Sequence, residues 1–112
     1  MKIKLRKKTI NLEVNKVSEI GKFSGLMFKT KETENLLFEF SYSNFPRIHS
    51  FFVFFDFLAV WLDENNKAVD FEIVKPFTFS VSPKLPSRKL IEIPLNEKNS
   101  RTIELFVGKR KI

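Results

Sequence analysis

The residues of this sequence with the clearest capacity for chemistry sit together. His49 is the only histidine, and Ser50 follows it at the head of the apolar stretch HSFFVFFDFLAVWLD, residues 49–63. Imidazole titrates near neutrality, so His49 is the natural candidate for proton transfer or ligand contact. It is poorly placed as a base for Ser50, because neighbours on a strand point to opposite faces. Two readings of His49 therefore stand. One is a partly buried histidine hydrogen-bonded to backbone, the commoner arrangement for a lone histidine; the other is direct contact with a ligand. Asp56 lies among phenylalanines and reads as exposed on a bulge, paired with a Lys or Arg, or raised in pKa, exposure being the simplest. Asp63 opens the turn signal DENN and accepts hydrogen bonds within it.

Other chemistries find no support. A single histidine and no cysteine cannot build the usual multi-histidine or thiolate metal centre, so no metal and no cofactor are expected. The segment GKFSG at 21–25 lacks the spacing of a phosphate-binding loop. No nucleophile elbow, zinc-protease motif or carboxylate pair is present. The expectation is a protein without a recognised catalytic constellation.

Length and composition narrow the class. The 112 residues suffice for one domain with one core, and 43% apolar content with fourteen phenylalanines argues against disorder. The absence of cysteine fits a reducing compartment, and no apolar run follows the basic start at Lys2, so a cytoplasmic protein is expected. Residues 48–62 are too few to span a bilayer and contain His49, Ser50 and Asp56.

The net charge of +7 is concentrated at the ends. Lys2, Lys4, Arg6, Lys7 and Lys8 lie at one end and Lys109, Arg110 and Lys111 at the other, leaving residues 9–108 near −1. Lys2, Lys4, Arg6, Lys109, Arg110 and Lys111 are thus candidate anion-binding residues. Side by side they would form one patch suited to nonspecific nucleic-acid or anionic-surface binding; apart, they are solubilising tails. The phenylalanine run resembles the platforms that stack single-stranded bases, but residues 51–57 contain no Lys or Arg, so core packing is the better account.

The pattern along the chain predicts a mainly β, β-rich α+β domain: about seven short strands and one short helix in a barrel- or sandwich-like arrangement. Ile3 and Leu5 alternate with basic residues, Ile10, Leu12 and Val14 alternate in opposite parity, and a turn or bulge is required near Lys7 and Lys8. The helix is expected over Ser18–Gly25, with Ser18 as N-cap. Leu36–Phe40 reads as a strand and Ser41–Arg47 as a loop. Phe51–Leu62 reads as a strand bent near Asp56, joined through Asp63–Asn66 to a strand containing Val69, Phe71 and Ile73. Pro76, Pro83 and Pro86 make Lys75–Arg88 an ordered loop or edge. Leu90–Ile93 and Ile103–Val107 read as the last strands, with a turn or helical bend at Asn96–Ser100.

GLMF at 25–28 and NLLFEF at 35–40, then IHSFFVFFDFLAVWLD at 48–63, VKPFTFSVSP at 74–83 and LIEIP at 90–94, together resemble the domain-of-unknown-function 192 family. Its central motif commonly reads IHTFFMRFPIDVVFLD. The resemblance runs from about Val14 to the C-terminus and implies a small β-rich domain without an assigned activity. Val53, Phe54, Asp56 and Leu58 stand where that motif has Met, Arg, Pro and Asp, so a site built from that Arg and Asp is absent here. His49, Lys75 and Pro76 match the pattern, and Ser50 replaces its Thr. These four are the candidate ligand-binding residues, and the expected function is binding of a small molecule or protein through the Pro-rich loop 75–88 and adjoining apolar surface.

Overall fold

The computed structural model describes residues 1–17 and 25–108. Residues 2–11 form an antiparallel hairpin, β1 (Lys2–Leu5) and β2 (Lys8–Asn11), in which Ile3 pairs with Ile10 and Leu5 with Lys8. Arg6 turns it with a φ of 54°. The alternation of β1 puts Ile3 and Leu5 inside and Lys2 and Lys4 outside, as period-two patterning requires.

A five-stranded sheet follows: β3 (Asn15–Lys16), β4 (Leu36–Asn44), β5 (Phe57–Leu62), β6 (Ala68–Val74) and β7 (Ser87–Pro94), in the spatial order β3-β4-β7-β5-β6. Among the described strands of this sheet β3 and β4 pair in parallel and the other pairs are antiparallel. A 3-10 turn at Glu97–Asn99 leads into one described helix, α1 (Ser100–Val107). The fold is β-rich and sandwich-like, without a closed barrel.

The two faces of the sheet carry two cores. On one, Leu37, Leu58, Val60, Leu62, Ile91 and Ile93 meet Ile3, Leu5 and Ile10 of the hairpin and Ile103 and Phe106 of α1. On the other, Phe38, Phe57, Ala59, Trp61 and Leu90 meet Leu26, Val53 and Val81, which come from turns and loops. β5 is buried at every position, which explains why its sequence is an unbroken apolar run rather than an alternation.

The turn at Asp63–Asn66 joins β5 to β6 as expected. The Asp63 carboxylate accepts from the amides of Asn65 (2.8 Å) and Lys67 (2.9 Å), and Asn66 takes the left-handed φ of 63° that Asn tolerates. Three expectations need correction. The strand expected over Phe51–Leu62 begins only at Phe57; the Val53 amide donates to Ser50 O (3.1 Å) and Phe52 has a φ of 60°, a turn that breaks the strand. Ile103–Val107 is helical, because Asn96 caps the preceding 3-10 turn at Asn99 (2.9 Å) and Ile103 and Phe106 bury at three-residue spacing. Ser41–Asn44 continues β4 with a register shift after Glu39. The helix expected over Ser18–Gly25 falls on residues 18–24, outside the described residues.

A buried amide pair locks α1 onto the sheet. Asn99 Nδ2 donates to Asn35 Oδ1 (3.0 Å) and to the Pro94 carbonyl (2.8 Å), while Asn35 Nδ2 donates to the Glu13 carbonyl (2.9 Å). Replacing Asn99 with Ala removes two buried donors from acceptors that water cannot reach. Asn99→Ala is expected to cost about 1–3 kcal/mol in urea unfolding, and a loss indistinguishable from zero would show that the pair does not hold the helix.

Candidate functional site

Among the described residues, the second face of the sheet is covered by three connections: the turn at 25–28, the loop at 45–56 and the loop at 75–86. Backbone hydrogen bonds lace the last two together. Ile48 and Val81 exchange both bonds at 2.8 Å, the Ser50 amide donates to Thr78 O (3.0 Å) and the Phe77 amide to Ser50 O (2.9 Å).

Ser50 is the staple of this junction. It is fully buried; its hydroxyl donates to the Lys75 carbonyl (2.5 Å) and accepts from the Thr78 amide (2.6 Å). Both capacities of the hydroxyl are used internally, so Ser50 positions a loop rather than facing a ligand. Lys75 is exposed, and its ammonium pairs with Asp56 at 2.7 Å, which places Asp56 among paired carboxylates. Pro76 is half-buried at the start of its loop. Ser50, Lys75 and Pro76 therefore share one corner.

His49 faces the other way. Its side chain is exposed, its Nδ1 accepts from the Phe51 amide (3.2 Å), and its ring lies 5.2 Å from that of Phe51. It stands at the rim of a cleft of about 170 Å³ bordered by Met27, Phe38, Phe40, Arg47, Leu90 and others. Lys75 and Pro76 do not border it.

The residue that the sequence did not flag is Glu92, in the same cleft. It sits on β7 between Leu36 of β4 and Ala59 of β5 and is 6% exposed. Its carboxyl makes no hydrogen bond among the described residues, and burial pushes its pKa up to about 8. Gly25 passes over it with a φ of +50°, where an added Cβ would lie 3.3 Å from Glu92 Oε1. One signal was available: a lone Glu between Ile91 and Ile93 in a strand otherwise apolar from Leu90 to Pro94. On a half-exposed strand that alternation means a wet face; on a central strand it means a buried acid.

The loops also expose an aromatic cluster. Phe28 stacks on Phe52 with ring centroids 5.2 Å apart, and Phe77 packs edge-on to Phe52 (6.1 Å) and Phe54 (5.6 Å). Phe28 is 70% and Phe54 60% exposed. Phe28, Phe52 and Phe77 all hold φ near +60° (61°, 60° and 58°), which is costly for bulky residues, of order 1–3 kcal/mol each.

On the opposite side, Lys2, Lys4 and Arg6 are exposed on the hairpin, unpaired among the described residues. Lys109, Arg110 and Lys111 lie outside the described residues. No described helix is long and apolar enough to cross a membrane.

No protein-family model matches the chain, and no curated protein matches it. Two solved structures share its fold. One is a protein of unknown function from Novosphingobium aromaticivorans DSM 12444, 11% identical, with a TM-score of 0.73 over 89% of this chain and 74% of that one. The other, from Sinorhizobium meliloti 1021, is named "a putative transcription regulator"; it is 15% identical, with a TM-score of 0.73 over 90% of this chain and 81% of that one. At such identities the likeness extends to the fold alone.

The raised pKa of Glu92 has a consequence for stability. Between its ordinary 4.5 and about 8 the folded protein holds a proton that the unfolded chain has released. Stability therefore falls as pH rises across that window, by at most about 1.4 kcal/mol per unit. Glu92→Gln, which cannot ionise, is expected to flatten this part of the profile in denaturant unfolding at pH 5, 6.5 and 8. Parallel profiles for the two proteins would mean that Glu92 is not protonated in the fold.

Proposed function

We propose that the protein is a small, non-catalytic binding domain that docks a protein partner through the surface of its 45–56 and 75–86 loops. The observation that carries this reading is the exposed cluster of Phe28, Phe52, Phe54 and Phe77. Exposed aromatics held in fixed geometry are what interface cores use, because rigid rings desolvate well at small entropic cost. The left-handed backbone at three of them is strain that the laced loops sustain, and strain of this kind accumulates where a surface has a task. Lys29 is exposed beside Phe28, which suits a partner whose apolar anchor carries acidic flanks. The Pro-rich loop supplies Phe77 and, through Ser50 and Thr78, the rigidity. Membership of the domain-of-unknown-function 192 family and a cytoplasmic location complete the proposal, supported by the order of the sequence motifs and by the cysteine-free composition.

A photo-crosslinking residue in place of Phe54, introduced in the cells of origin, is expected to give one discrete protein adduct; the same residue in place of Thr102 on α1 should give none. The purified adduct partner should then bind the wild type and lose at least about tenfold in affinity, about 1.4 kcal/mol, to Phe54→Asp. Adducts to lipid alone, or equal yields from both positions, would sink the reading.

A second reading has its own observation: the hairpin presents Lys2 and Lys4 on the outward face of β1 and Arg6, Lys7 and Lys8 around its turn, all exposed. Such a surface suits phosphate backbones or anionic surfaces, and a structural neighbour is described as "a putative transcription regulator". Duplex DNA binding at low salt should weaken steeply with salt and disappear when these five residues are changed to Gln. No retention at about 20 mM salt would dispose of it.

A further inference from the structure

The cleft that holds Glu92 is chemically unlike the aromatic surface, and the inference from it stands independently of the docking proposal. A carboxyl buried among apolar side chains with no hydrogen-bond partner is expensive to keep. Glu92 occupies the central strand, where every neighbouring position of β7 on the same face is apolar and packed. None of the described residues gives its carboxyl a hydrogen bond, and the cleft leaves that carboxyl open to a donor from outside.

The walls state the rest of the requirement. Leu26, Phe38, Ile48, Val53 and Leu90 make the interior apolar, so the body of a ligand must be apolar too. The volume of about 170 Å³ is close to the ~150 Å³ of a cavity that takes one benzene, enough for a branched or aromatic side chain. The charged groups that face the cleft among the described residues are three: Glu92 from β7, and Arg47 and His49 from the 45–56 loop. β4 and β5 present only Phe38, Phe40 and Phe57, and the 25–28 turn only Gly25, Leu26 and Met27. Arg47 is exposed and makes no ion pair among the described residues. An acid at the floor and a guanidinium at the rim give the cleft a direction: cation inward, anion outward.

We propose that this cleft is a binding site for a free apolar α-amino acid, its ammonium on the Glu92 carboxylate, its side chain against Phe38, Ile48 and Leu90, and its carboxylate beside Arg47. The ammonium brings three donors to a carboxylate that has none. Gly25 is the residue that leaves room for it, since a Cβ there would crowd Glu92 Oε1. Because Glu92 is held protonated by burial up to about pH 8, binding the ammonium requires it to release its proton. Affinity should therefore rise with pH, approaching tenfold per unit between about pH 6 and 8.

Titration calorimetry on the full chain at pH 8 tests the assignment with three ligands of one shape: L-leucine, 3-methylbutylamine, which lacks the carboxylate, and 4-methylpentanoate, which lacks the amine. Leucine should bind at least about tenfold more tightly than the amine, and the amine more tightly than the acid. Glu92→Gln should abolish binding of leucine and amine. Arg47→Gln, a change at an exposed position that leaves the fold intact, should bring leucine down to the affinity of the amine. His49→Gln should keep the rise with pH, which separates Glu92 from the imidazole as its source. Tightest binding by 4-methylpentanoate, no heat from leucine at millimolar concentration, or undiminished binding to Glu92→Gln would each overturn the proposal.

Discussion

β7 is hydrogen-bonded along both edges, to β4 and to β5, and covered on both faces. Its odd positions, Ile91 and Ile93, anchor the core beneath the hairpin and α1; its even positions, Leu90 and Glu92, enter the core beneath the loops. Both layers of the molecule are thus built on one eight-residue strand. A shift of one residue in its register would exchange the two faces, driving Glu92 into the core that holds Ile103 and Phe106. The position of the acid and the pairing of the sheet are one constraint.

The loop layer is organised differently. It has few strand ladders, so side chains and single bridges supply the order: the Ser50 hydroxyl, the Ile48–Val81 pair and the Asp56–Lys75 contact. The last is exposed and adds little stability; the buried hydroxyl, with donor and acceptor both used, holds far more. Two surfaces result, an aromatic one projecting outward and a cleft opening inward, and both rely on the same junction.

Legibility in the sequence followed periodicity and turn chemistry. The β1–β2 hairpin and the Asp63–Asn66 turn were readable because alternation and Asx chemistry are local. Phe51–Asp56 was not: a continuous apolar run fits a buried strand as well as a packed loop, and the left-handed φ of Phe52 has no signature in a phenylalanine. Ile103–Val107 misled because five residues match both periods, and the cap that decides, Asn96, lies outside them. His49 stood out by its rarity, although the structure gives it only a rim position. Glu92 was passed over for the opposite reason, since an acid within an alternating strand looks ordinary until both faces of that strand are known to be covered.

The spatial order β3-β4-β7-β5-β6 also sets a timetable. Chains are made from the N-terminus, so β4, β5 and β6 all exist before the strand that joins them. Until Ser87–Pro94 is complete, the β5–β6 hairpin carries a strand buried at every position in the finished fold with one edge unpaired and without the cover of α1. β4 waits likewise with an unpaired edge. The nascent protein therefore passes through an interval in which its most apolar segment is the most available for pairing with another chain, and closure of the sheet, being late and non-local, is slow.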